Sequence, residues 1–357
     1  MRIYAFHLLN DYSGSPKVLM QLVKGWLKND IEVHLVTSSG RNGFLSDIPG
    51  VTYHHFWYKW AANPIIRLCN LMASQALLFF SLLFKVKKED IIYINTILPF
   101  GAAFLGKLKK CRIIYHLHET TVRPAIFKKS VFGIAKIMAN DVIYVSKFLS
   151  KQEHFSTSSV HTQYNAIEDQ FLETAKNNRE VTKTQDKVLM VCSLKEYKGI
   201  REYLVLAGDN PQYQFRMVLN ASKLEIESFF EYNSLPSNFE IFDSQTNLHP
   251  FYQWADVILN LSRPDGWVET FGLTIIEGMA YGLPAIVPPV GGITELVEEE
   301  QNGFLVDCRD RKLLNKKLNQ LLENKNMYKK MAATSKKKIN SFSEDVFIKH
   351  SLTILNN

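Results

Sequence analysis

Residues Arg263–Val306 read RPDGWVETFGLTIIEGMAYGLPAIVPPVGGITELVEEEQNGFLV and combine two separated glutamates with several glycines. Directly upstream, Val257–Leu261 is an apolar and partly β-branched run, which predicts a buried strand. Thr274–Tyr281 has the apolar spacing of a helix. The stretch therefore predicts a strand-to-helix turn of an α/β domain, with the helix beginning near Gly272.

A helix that begins at this turn offers a binding site for negative charge. Its first N–H groups have no intrahelical acceptor and lie at the positive end of the helix dipole, which suits a phosphate or a sugar oxygen. Glu277 would lie one or two turns into the helix and face the same cleft. Acidic side chains are mostly just exposed, but glycine within a helix costs about 1 kcal/mol relative to alanine. Gly272, Gly278 and Gly282 therefore indicate close approach of the backbone to a neighbour or ligand.

The spacing of Glu269 and Glu277, followed by Gly-Met-Ala-x-Gly-x-Pro, Gly291-Gly292 and Asn302-Gly303, resembles the C-terminal signature of the retaining GT-B glycosyltransferases of family 4. This resemblance implies that Glu269 lies beside the transferred sugar and that Glu277 binds the ribose hydroxyls of the nucleotide. It also implies that four consecutive residues offer backbone N–H groups, or in the last case a hydroxyl, to the sugar and diphosphate: Phe271, Gly272, Leu273 and Thr274.

Strand-like and helical segments alternate along the chain, which predicts doubly wound α/β domains. With the resemblance, the fold class is α/β of the GT-B type, with two Rossmann-like domains facing a central cleft. The division is an acceptor domain at 1–168, a polar linker at 169–186, a nucleotide-sugar domain at 187–340 and a helix at 341–357 that returns to the N-terminal domain. The predicted strands are Ile3–Leu8, Glu32–Thr37, Ile91–Asn95, Arg112–His116, Val142–Val145, Val188–Cys192, Gln214–Leu219, Phe239–Phe242, Val257–Leu261 and Ala285–Val287.

The cations for the diphosphate depart from the family pattern. The family usually has Gly-Arg-x-x-x-x-Lys-Gly after the first C-terminal strand, and Lys198 matches its lysine. Ser193 stands where the arginine is expected. We hypothesise that Lys195 or Arg263 supplies the missing charge; the alternative for Lys195 is a solvated loop lysine, which is the usual state of lysines.

The first turn of the chain is a second candidate phosphate site. Ser15 is the predicted N-cap and Pro16 the first helical residue. The turn resembles the glycine loop that closes over donor and acceptor in the family, with Gly14 alone where two glycines are common. A plain turn is the alternative, because Ser, Gly and Pro are common turn residues.

His118 follows an apolar run and is predicted at the carboxyl end of a strand. The resemblance places a histidine of this kind near the transferred sugar, while His116 points to the same face and is a competing candidate. Glu119 would orient the imidazole or contact the acceptor. Ser146 and Asn165 match two further family positions that line the domain interface on the acceptor side.

The predicted chemistry follows from charge separation. Cleavage of a sugar–nucleotide bond places positive charge on the anomeric carbon and negative charge on the phosphate, so Lys198 and the helix start would lower the barrier. The resemblance implies retention of configuration, by front-face attack in which the leaving phosphate takes the acceptor proton. No Asp-x-Asp cluster follows a predicted cleft strand, so we expect metal-independent transfer with no cofactor beyond the nucleotide-sugar co-substrate. The alternatives are a glycoside hydrolase that uses the glutamate pair and a sugar-nucleotide epimerase.

Composition and charge bear on the acceptor. The 357 residues, 46% of them hydrophobic, suffice for two cores. Residues 1–168 contain 20 Lys and Arg against 10 Asp and Glu, whereas the rest contains 22 against 25. Together with Phe56-Trp57-Tyr58 and Trp60, this excess predicts attraction to anionic headgroups or a lipid-linked acceptor, although surface lysines also serve solubility. The apolar run Ala73–Phe84, of twelve residues, predicts a buried or interfacial helix that is too short to span a bilayer.

The remaining features concern location and partners. Four separated cysteines without a CxxC pair and the absence of a visible signal peptide predict a cytoplasmic protein, with peripheral contact at the inner face of the membrane as a further expectation. No nucleic-acid-binding motif accompanies the basic charge. The expected function is transfer of a hexose or N-acetylhexosamine, from a UDP-sugar by family frequency, to a glycan or lipid-linked acceptor in cell-surface polysaccharide synthesis.

Overall fold

A computed structural model describes residues 1–156, 159–177, 185–230 and 235–357. The chain divides into two α/β units: unit 1 comprises Met1–Tyr164 and Val346–Asn357, and unit 2 comprises Asn165–Asp345. The predicted linker is wrong over Asp169–Asn177, which is a helix of unit 2. Its short apolar face, with Ala175 fully buried and Phe171 stacked on His249, is enough to anchor it. Residues 178–184 of the predicted linker lie outside the described residues.

Unit 1 contains, within the described residues, a parallel sheet of seven strands in the order β3-β2-β1-β4-β5-β6-β7. The strands are β1 Arg2–Phe6, β2 Glu32–Ser38, β3 Thr52–Phe56, β4 Ile91–Asn95, β5 Arg112–Leu117, β6 Asp141–Tyr144 and β7 Ser159–Thr162. The helices are α1 Gly14–Leu27, α2 Pro64–Leu82, α3 Phe100–Lys109, α4 Ala125–Met138 and α5 Lys147–Gln152.

The five strands predicted in this half are confirmed, whereas the two outermost strands, β3 and β7, were not predicted. Both are edge strands with largely exposed or half-buried residues. An edge strand needs little apolar alternation, so its sequence lacks the pattern that marks a buried strand.

Unit 2 contains, among the residues described, a parallel sheet of six strands in the order β10-β9-β8-β11-β12-β13. The strands are β8 Lys187–Ser193, β9 Gln214–Asn220, β10 Phe239–Phe242, β11 Val257–Leu259, β12 Ala285–Val287 and β13 Gly303–Leu305. The helices are α6 Asp169–Asn177, α7 Ile200–Asp209, α8 Lys223–Phe230, α9 His249–Trp254, α10 Leu273–Ala280, α11 Arg311–Glu323 and α12 Lys325–Lys338. The three-residue β13 was not predicted, because it is short and begins at a glycine.

The last helix, α13 Glu344–Asn356, lies almost entirely in unit 1. The Trp26 indole on α1 donates to Ser351 Oγ at 2.9 Å, and the Gln163 amide donates to the Phe347 carbonyl at 2.6 Å. Arg112, at the start of β5, donates to the carbonyls of Ile354 and Leu355 at 2.7 and 3.0 Å. The two ends of the sequence therefore form one core.

Two expectations about unit 1 helices are corrected. The apolar run Ala73–Phe84 belongs mostly to the longer α2, which starts at Pro64 because the Asn63 side chain accepts from the N–H groups of Ile65 and Ile66. In the described part of the chain, α2 is the one helix long and apolar enough to cross a membrane by length and composition. Only 28% of its most apolar 18-residue window is buried.

The first turn also begins differently from the prediction. Helix α1 starts at Gly14 with Ser13 at the N-cap position, so Ser15 is not the cap and Pro16 is the third helical residue. Proline is tolerated there because the N–H of the third residue has no intrahelical acceptor. The Asp11 side chain accepts from both the N–H and the hydroxyl of Ser13, which fixes the earlier start.

Candidate active site

The strand order of unit 2 reverses between β8 and β11, which lie side by side. Chain segments that leave adjacent strands at such a point run in opposite directions and leave a crevice at the carboxyl edge of the sheet. Residues 194–199 follow β8 and residues 260–272 follow β11. The sequence-predicted residues Lys198, Arg263 and Glu269 therefore lie at the part of an α/β sheet where ligands generally bind.

Lys198 and Glu269 form an ion pair at this point, with side chains 15% and 13% exposed. The Lys198 ammonium, the Ser262 hydroxyl at 2.6 Å and the Asn260 amide at 3.4 Å all donate to Glu269 Oε1. Burial acts to raise the pKa of Glu269, but the Lys198 charge and these hydrogen bonds outweigh it, and the pKa is lowered. Glu269 is therefore a carboxylate held in its charged form.

Two aromatic rings support the lysine of this pair. The Tyr197 and Trp267 rings stack at 5.7 Å, and Lys198 Nζ lies 5.5 Å from the centre of the Trp267 ring. The loop after β11 is anchored to the loop after β8 by the Arg263 N–H, which donates to the Tyr197 carbonyl at 2.7 Å. The cation thus has both a charge partner and a cation–π partner within the same pair of loops.

Gly291 and Gly292 hold the backbone of Glu269. The Gly292 N–H donates to the Glu269 carbonyl at 2.7 Å. Gly291 has φ +110°, and a Cβ added to it would lie 2.4 Å from the same carbonyl oxygen. Only glycine fits this position without displacing the glutamate.

The strand-to-helix turn is formed as predicted. Helix α10 begins at Leu273, and Gly272 precedes it with φ +130°, a conformation that side chains disfavour. Leu273 and Thr274 are half-buried, whereas Phe271 is buried against the ring of Phe342. The N–H groups of the first turn, which include Leu273 and Thr274, have no intrahelical acceptor.

Glu277 is more enclosed than the sequence suggests. Its side chain is 4% exposed, and its Oε2 accepts a hydrogen bond from the Tyr252 hydroxyl at 2.6 Å. Burial, and secondarily the Glu277 charge, raises the pKa of Tyr252, so this tyrosine remains a donor. Tyr252 orients the carboxylate that the family resemblance assigns to the ribose.

The candidates for the missing diphosphate cation have different surroundings. Ser193 is the last residue of β8. Arg263 Nη1 lies 3.6 Å from Glu202 Oε1 on α7, so a carboxylate already partners it. Lys195 is exposed, two residues after the end of β8. The assignment of the second cation to either residue stays a prediction.

Unit 1 has a histidine cluster at the corresponding edge of its own sheet, where the strand order reverses between β1 and β4. Asn95, the last residue of β4, donates through Nδ2 to the Ser15 carbonyl at 3.1 Å, and its Oδ1 lies 2.9 Å from His118 Nε2. Because a carbonyl can only accept, the amide orientation is fixed, and His118 Nε2 must carry the proton. The neutral imidazole then has Nδ1 as its acceptor.

The structure distinguishes the two competing histidines. His116 is fully buried, with its Nδ1 2.9 Å from the Tyr93 hydroxyl, and burial lowers its pKa to about 3. His118 is half-buried; burial, with smaller effects of His116 and His7, lowers its pKa well below the usual value. His118 is therefore the accessible neutral histidine, and His116 is a core residue.

Glu119 does not orient the imidazole. Its two oxygens accept from the backbone N–H groups of Ile97 at 3.0 Å and His118 at 3.1 Å. Burial raises its pKa to about 6 despite these bonds. The carboxylate therefore joins the segments that follow β4 and β5.

The remaining predicted residues occupy different kinds of position. Ser146 is fully buried, and its Oγ accepts from the Leu149 N–H at 3.2 Å as the N-cap of α5; its assignment to the acceptor side stays a prediction. Asn165 is buried in unit 2, and its Oδ1 has no hydrogen-bond partner among the described residues. Gly14 is exposed at the first position of α1.

Sequence reasoning missed four residues of these clusters, namely Asn95, Tyr252, Asn260 and Ser262. Three of them had a detectable signal, because Asn95, Asn260 and Ser262 are polar residues within one position of the end of a predicted strand. Tyr252 had none, since its contact with Glu277 joins two helices that are separated in sequence.

Two family models match the chain, that of the glycosyl transferases group 1 over residues 172–338 and that of Glycosyltransferase Family 4 over residues 12–170. Together they account for nearly the whole sequence. The fold and the matching models thus define the class as the two-domain GT-B glycosyltransferases. The chain belongs to family 4 of the glycosyltransferases, group 1, and is a transferase enzyme.

Individual relatives are distant in sequence. N-acetyl-alpha-D-glucosaminyl L-malate synthase from Bacillus anthracis is 22% identical and aligns with 91% of this chain and 89% of its own length. The crystal structure of Anabaena HepE in complex with UDP and glucose superposes with a TM-score of 0.79 at 17% identity, covering 100% of both chains. Sucrose-phosphate synthase from Thermosynechococcus elongatus gives 0.77 at 16% identity, covering 99% of this chain and 98% of that one. These structures share the fold.

Proposed function

We propose that the chain is a retaining, metal-independent glycosyltransferase that moves a hexose or N-acetylhexosamine from a UDP-sugar to a glycan or lipid-linked acceptor. The observation that carries this proposal is the Lys198–Glu269 ion pair beside the start of α10. A cation for a departing phosphate, an ionised carboxylate and the backbone N–H groups at the start of α10 thus occur together where the strand order of unit 2 reverses.

The charge state of Glu269 supports its proposed role at the sugar. Its lowered pKa keeps it ionised, so it can stabilise the positive charge that develops at the anomeric carbon. Lys198 would then interact with the leaving diphosphate, together with the N–H groups of Leu273 and Thr274. Front-face attack, with the acceptor proton taken by the leaving phosphate, requires no protein nucleophile, which is consistent with a carboxylate already bound by three donors.

Two further features of the proposal concern the metal and the nucleotide. Metal-independent transfer is part of the proposal, and the assay in EDTA described below tests it. The choice of UDP is supported by HepE, whose structures contain UDP, and by TarM from S. aureus, solved with alpha-GlcNAc-glycerol and UDP. A cytoplasmic location and a role in cell-surface polysaccharide synthesis remain part of the proposal.

The glycosidase alternative is disfavoured by the same geometry. Such an enzyme needs one carboxylic acid that can donate a proton. Glu269 is held ionised, and Glu277 is buried beneath the Tyr252 hydroxyl. Nothing in the described residues favours an epimerase.

A donor panel tests the proposal. Thermal unfolding is measured with UDP-, GDP- and ADP-sugars, because a ligand at about 100 times its Kd stabilises the folded protein by about 2.7 kcal/mol. We expect UDP-sugars to raise Tm and to release UDP in the presence of EDTA when an acceptor is supplied. Lys198→Met should abolish the shift, whereas the control Lys223→Met, on an 83% exposed side chain, should retain it. The absence of any shift with all three donor classes would refute the proposal.

The same panel, applied to Lys195→Met and Arg263→Met, identifies the second cation. The residue that binds the diphosphate should lose donor affinity and turnover together. If neither variant loses both, Lys198 and the helix start carry the diphosphate by themselves.

A further inference from the structure

The outer face of α2 is apolar and exposed. It consists of six large side chains on successive turns, each at least 43% exposed: Ile65, Ile66, Leu68, Met72, Leu77 and Phe80. Phe84, just beyond the helix end, is 92% exposed. Ala73 and Ala76 are also exposed between them, and Arg67 is the helix's single charged residue. A continuous apolar strip of this kind marks a binding surface, since monomeric proteins rarely expose one.

The opposite face of α2 attaches the helix to unit 1. Leu71, Ser74, Leu78 and Leu82 are buried, and the Gln75 side chain accepts from the Gly101 N–H of α3 at 3.0 Å. A helix that crossed a bilayer would have to give up this packing. With one face buried and the other exposed and apolar, α2 is suited to lie along a surface and not to cross it.

The topology of unit 1 extends this surface. Crossovers between parallel strands are right-handed, and β1 to β2 runs in the opposite direction along the sheet from β3 to β4 and onward. Helices α2, α3 and α4 therefore cover one side of the sheet, and α1 covers the other. The exposed Leu108 on α3 and Ile126 and Ile137 on α4 belong to the same helical layer as the outer face of α2.

The charge of the residues around α2 indicates what binds its outer face. Residues 57–140, which contain this helical layer, carry thirteen Lys and Arg against three Asp and Glu. Of the three acids, Asp90 binds Arg2, and Glu119 binds backbone N–H groups. Trp57 and Trp60 are about half exposed just before α2, with Arg67 lying 5.6 Å from the centre of the Trp60 ring. Exposed tryptophans beside cations are typical of the headgroup region of a membrane.

We propose that the outer face of α2 docks unit 1 on the surface of an anionic phospholipid bilayer. The apolar side chains enter the boundary between headgroups and acyl chains, and the surrounding Lys and Arg contact the phosphates. The helix lies in the plane of the membrane. This docking does not depend on the identity of the sugar donor, so the two proposals can fail separately.

The test is flotation of the full chain with vesicles of POPC containing roughly 30 mol% POPG, compared with POPC alone. We expect the wild type to float with the anionic vesicles, at least tenfold less with POPC, and less as salt increases. The triple variant Ile65→Ser/Phe80→Ser/Phe84→Ser should bind at least tenfold more weakly than wild type. A control with the same change at three exposed apolar residues elsewhere, Val205→Ser/Leu224→Ser/Val346→Ser, should float like wild type.

Three results would overturn the docking proposal: no flotation of the wild type, equal flotation of the triple variant, or equal binding to neutral vesicles. If the wild type is a dimer in sedimentation velocity, does not float, and becomes a monomer in the triple variant, a second copy covers this face instead. Should the triple variant unfold, Phe84→Ser alone replaces it, with an expected loss of at least threefold. Donor thermal shifts measured on the same variants should equal those of the wild type.

Discussion

Glu269 is one half of a partly buried ion pair whose other half, Lys198, lies 71 residues earlier in the chain. Each charge also has partners outside the pair. Ser262 and Asn260 donate to the carboxylate, and the Trp267 ring lies beside the ammonium. Removal of one charge from such a pair leaves the other poorly solvated, and this costs far more than the pair itself contributes to stability.

We expect Glu269→Gln to lower the free energy of unfolding by about 3 kcal/mol, since it leaves the Lys198 charge without a partner. The double variant Glu269→Gln/Lys198→Met should recover most of this loss. Turnover should fall at least about 100-fold in both, as both lack the charges proposed to act in the transition state. Urea unfolding and initial rates of transfer measure the two effects.

The control for this prediction is the exposed pair of Lys223 with Glu227, whose side chains are 83% and 59% exposed. Glu227→Gln should change the stability by less than about 1 kcal/mol. A double variant as unstable as Glu269→Gln alone would contradict the interpretation of an uncompensated charge.

The histidines of unit 1 predict a pH dependence of stability. Burial lowers the pKa of His116 to about 3 and that of His7 to about 4, while the unfolded chain takes up a proton on each near its usual pKa of 6.5. Below pH 6.5 the unfolded state therefore binds more protons than the folded state. Each such histidine lowers the free energy of unfolding by up to about 1.4 kcal/mol per pH unit as the pH falls.

His116→Phe should remove one part of this dependence. Between pH 8 and pH 5 the wild type should lose about 2 kcal/mol more stability than the variant, from roughly 1.5 pH units below 6.5. Urea unfolding at both pH values measures this, and the difference at pH 8, where histidines are neutral in both states, gives the separate effect on packing. An equal loss in both proteins would show that His116 is protonated in the folded state.

At the scale of elements, the loop before α10 depends on two glycines. Gly272 has φ +130° at the helix start, and Gly291 has φ +110° against the Glu269 carbonyl. The sequence predicted that these glycines lie at turns. The structure shows that Gly272 precedes α10 and that Gly291 lies against the Glu269 carbonyl. The start of α10 and the backbone of Glu269 are therefore positioned by conformations that other residues disfavour.

We expect Gly291→Ala to lower donor affinity and turnover together, because its Cβ would lie 2.4 Å from the Glu269 carbonyl and must displace it. It should also destabilise the protein by about 1–3 kcal/mol through strain at positive φ. The matched control is Gly133→Ala in α4, where no atom lies within 4 Å of the added Cβ. Gly133→Ala should stabilise the protein by up to about 1 kcal/mol and leave transfer unchanged; Tm and steady-state rates measure both.

At the scale of the whole molecule, the chain returns to its first unit at its end. Helix α13 follows almost the entire sequence of unit 2, yet its contacts with Trp26, Arg112 and Gln163 lie in unit 1. Unit 1 is therefore complete only when residues more than 300 positions apart have met.

Ser351→Ala tests this connection, since it leaves the buried Trp26 N–H without its acceptor. We expect a loss of about 1–3 kcal/mol in the free energy of unfolding. Thr353→Ala, an exposed position on the same helix, should change stability by less than about 0.5 kcal/mol. Equal effects of the two variants in urea unfolding would show that Trp26 does not depend on α13.

The sequence by itself determined the α/β class, ten of the strands and the turn that leads into α10. These features are local, since apolar periodicity, β-branched runs and glycines report on residues close together in the chain. The family resemblance added Glu269, Glu277 and Lys198 as a set. Only the tertiary structure showed that Lys198 and Glu269 bind each other, that Tyr252 donates to Glu277 and that Asn95 sets the tautomer of His118.

The dependence on tertiary contacts also explains the predictions that were wrong. Ser13, and not Ser15, lies at the N-cap position of α1, because the Asp11 side chain accepts from the Ser13 N–H. Helix α2 is longer than its most apolar part because Asn63 caps it. His116 and His118 share one face of a strand, and only the packing around them decides which is buried. Whether a side chain is buried, charged or paired depends on neighbours that are distant in sequence. The local sequence pattern contains no information about these neighbours.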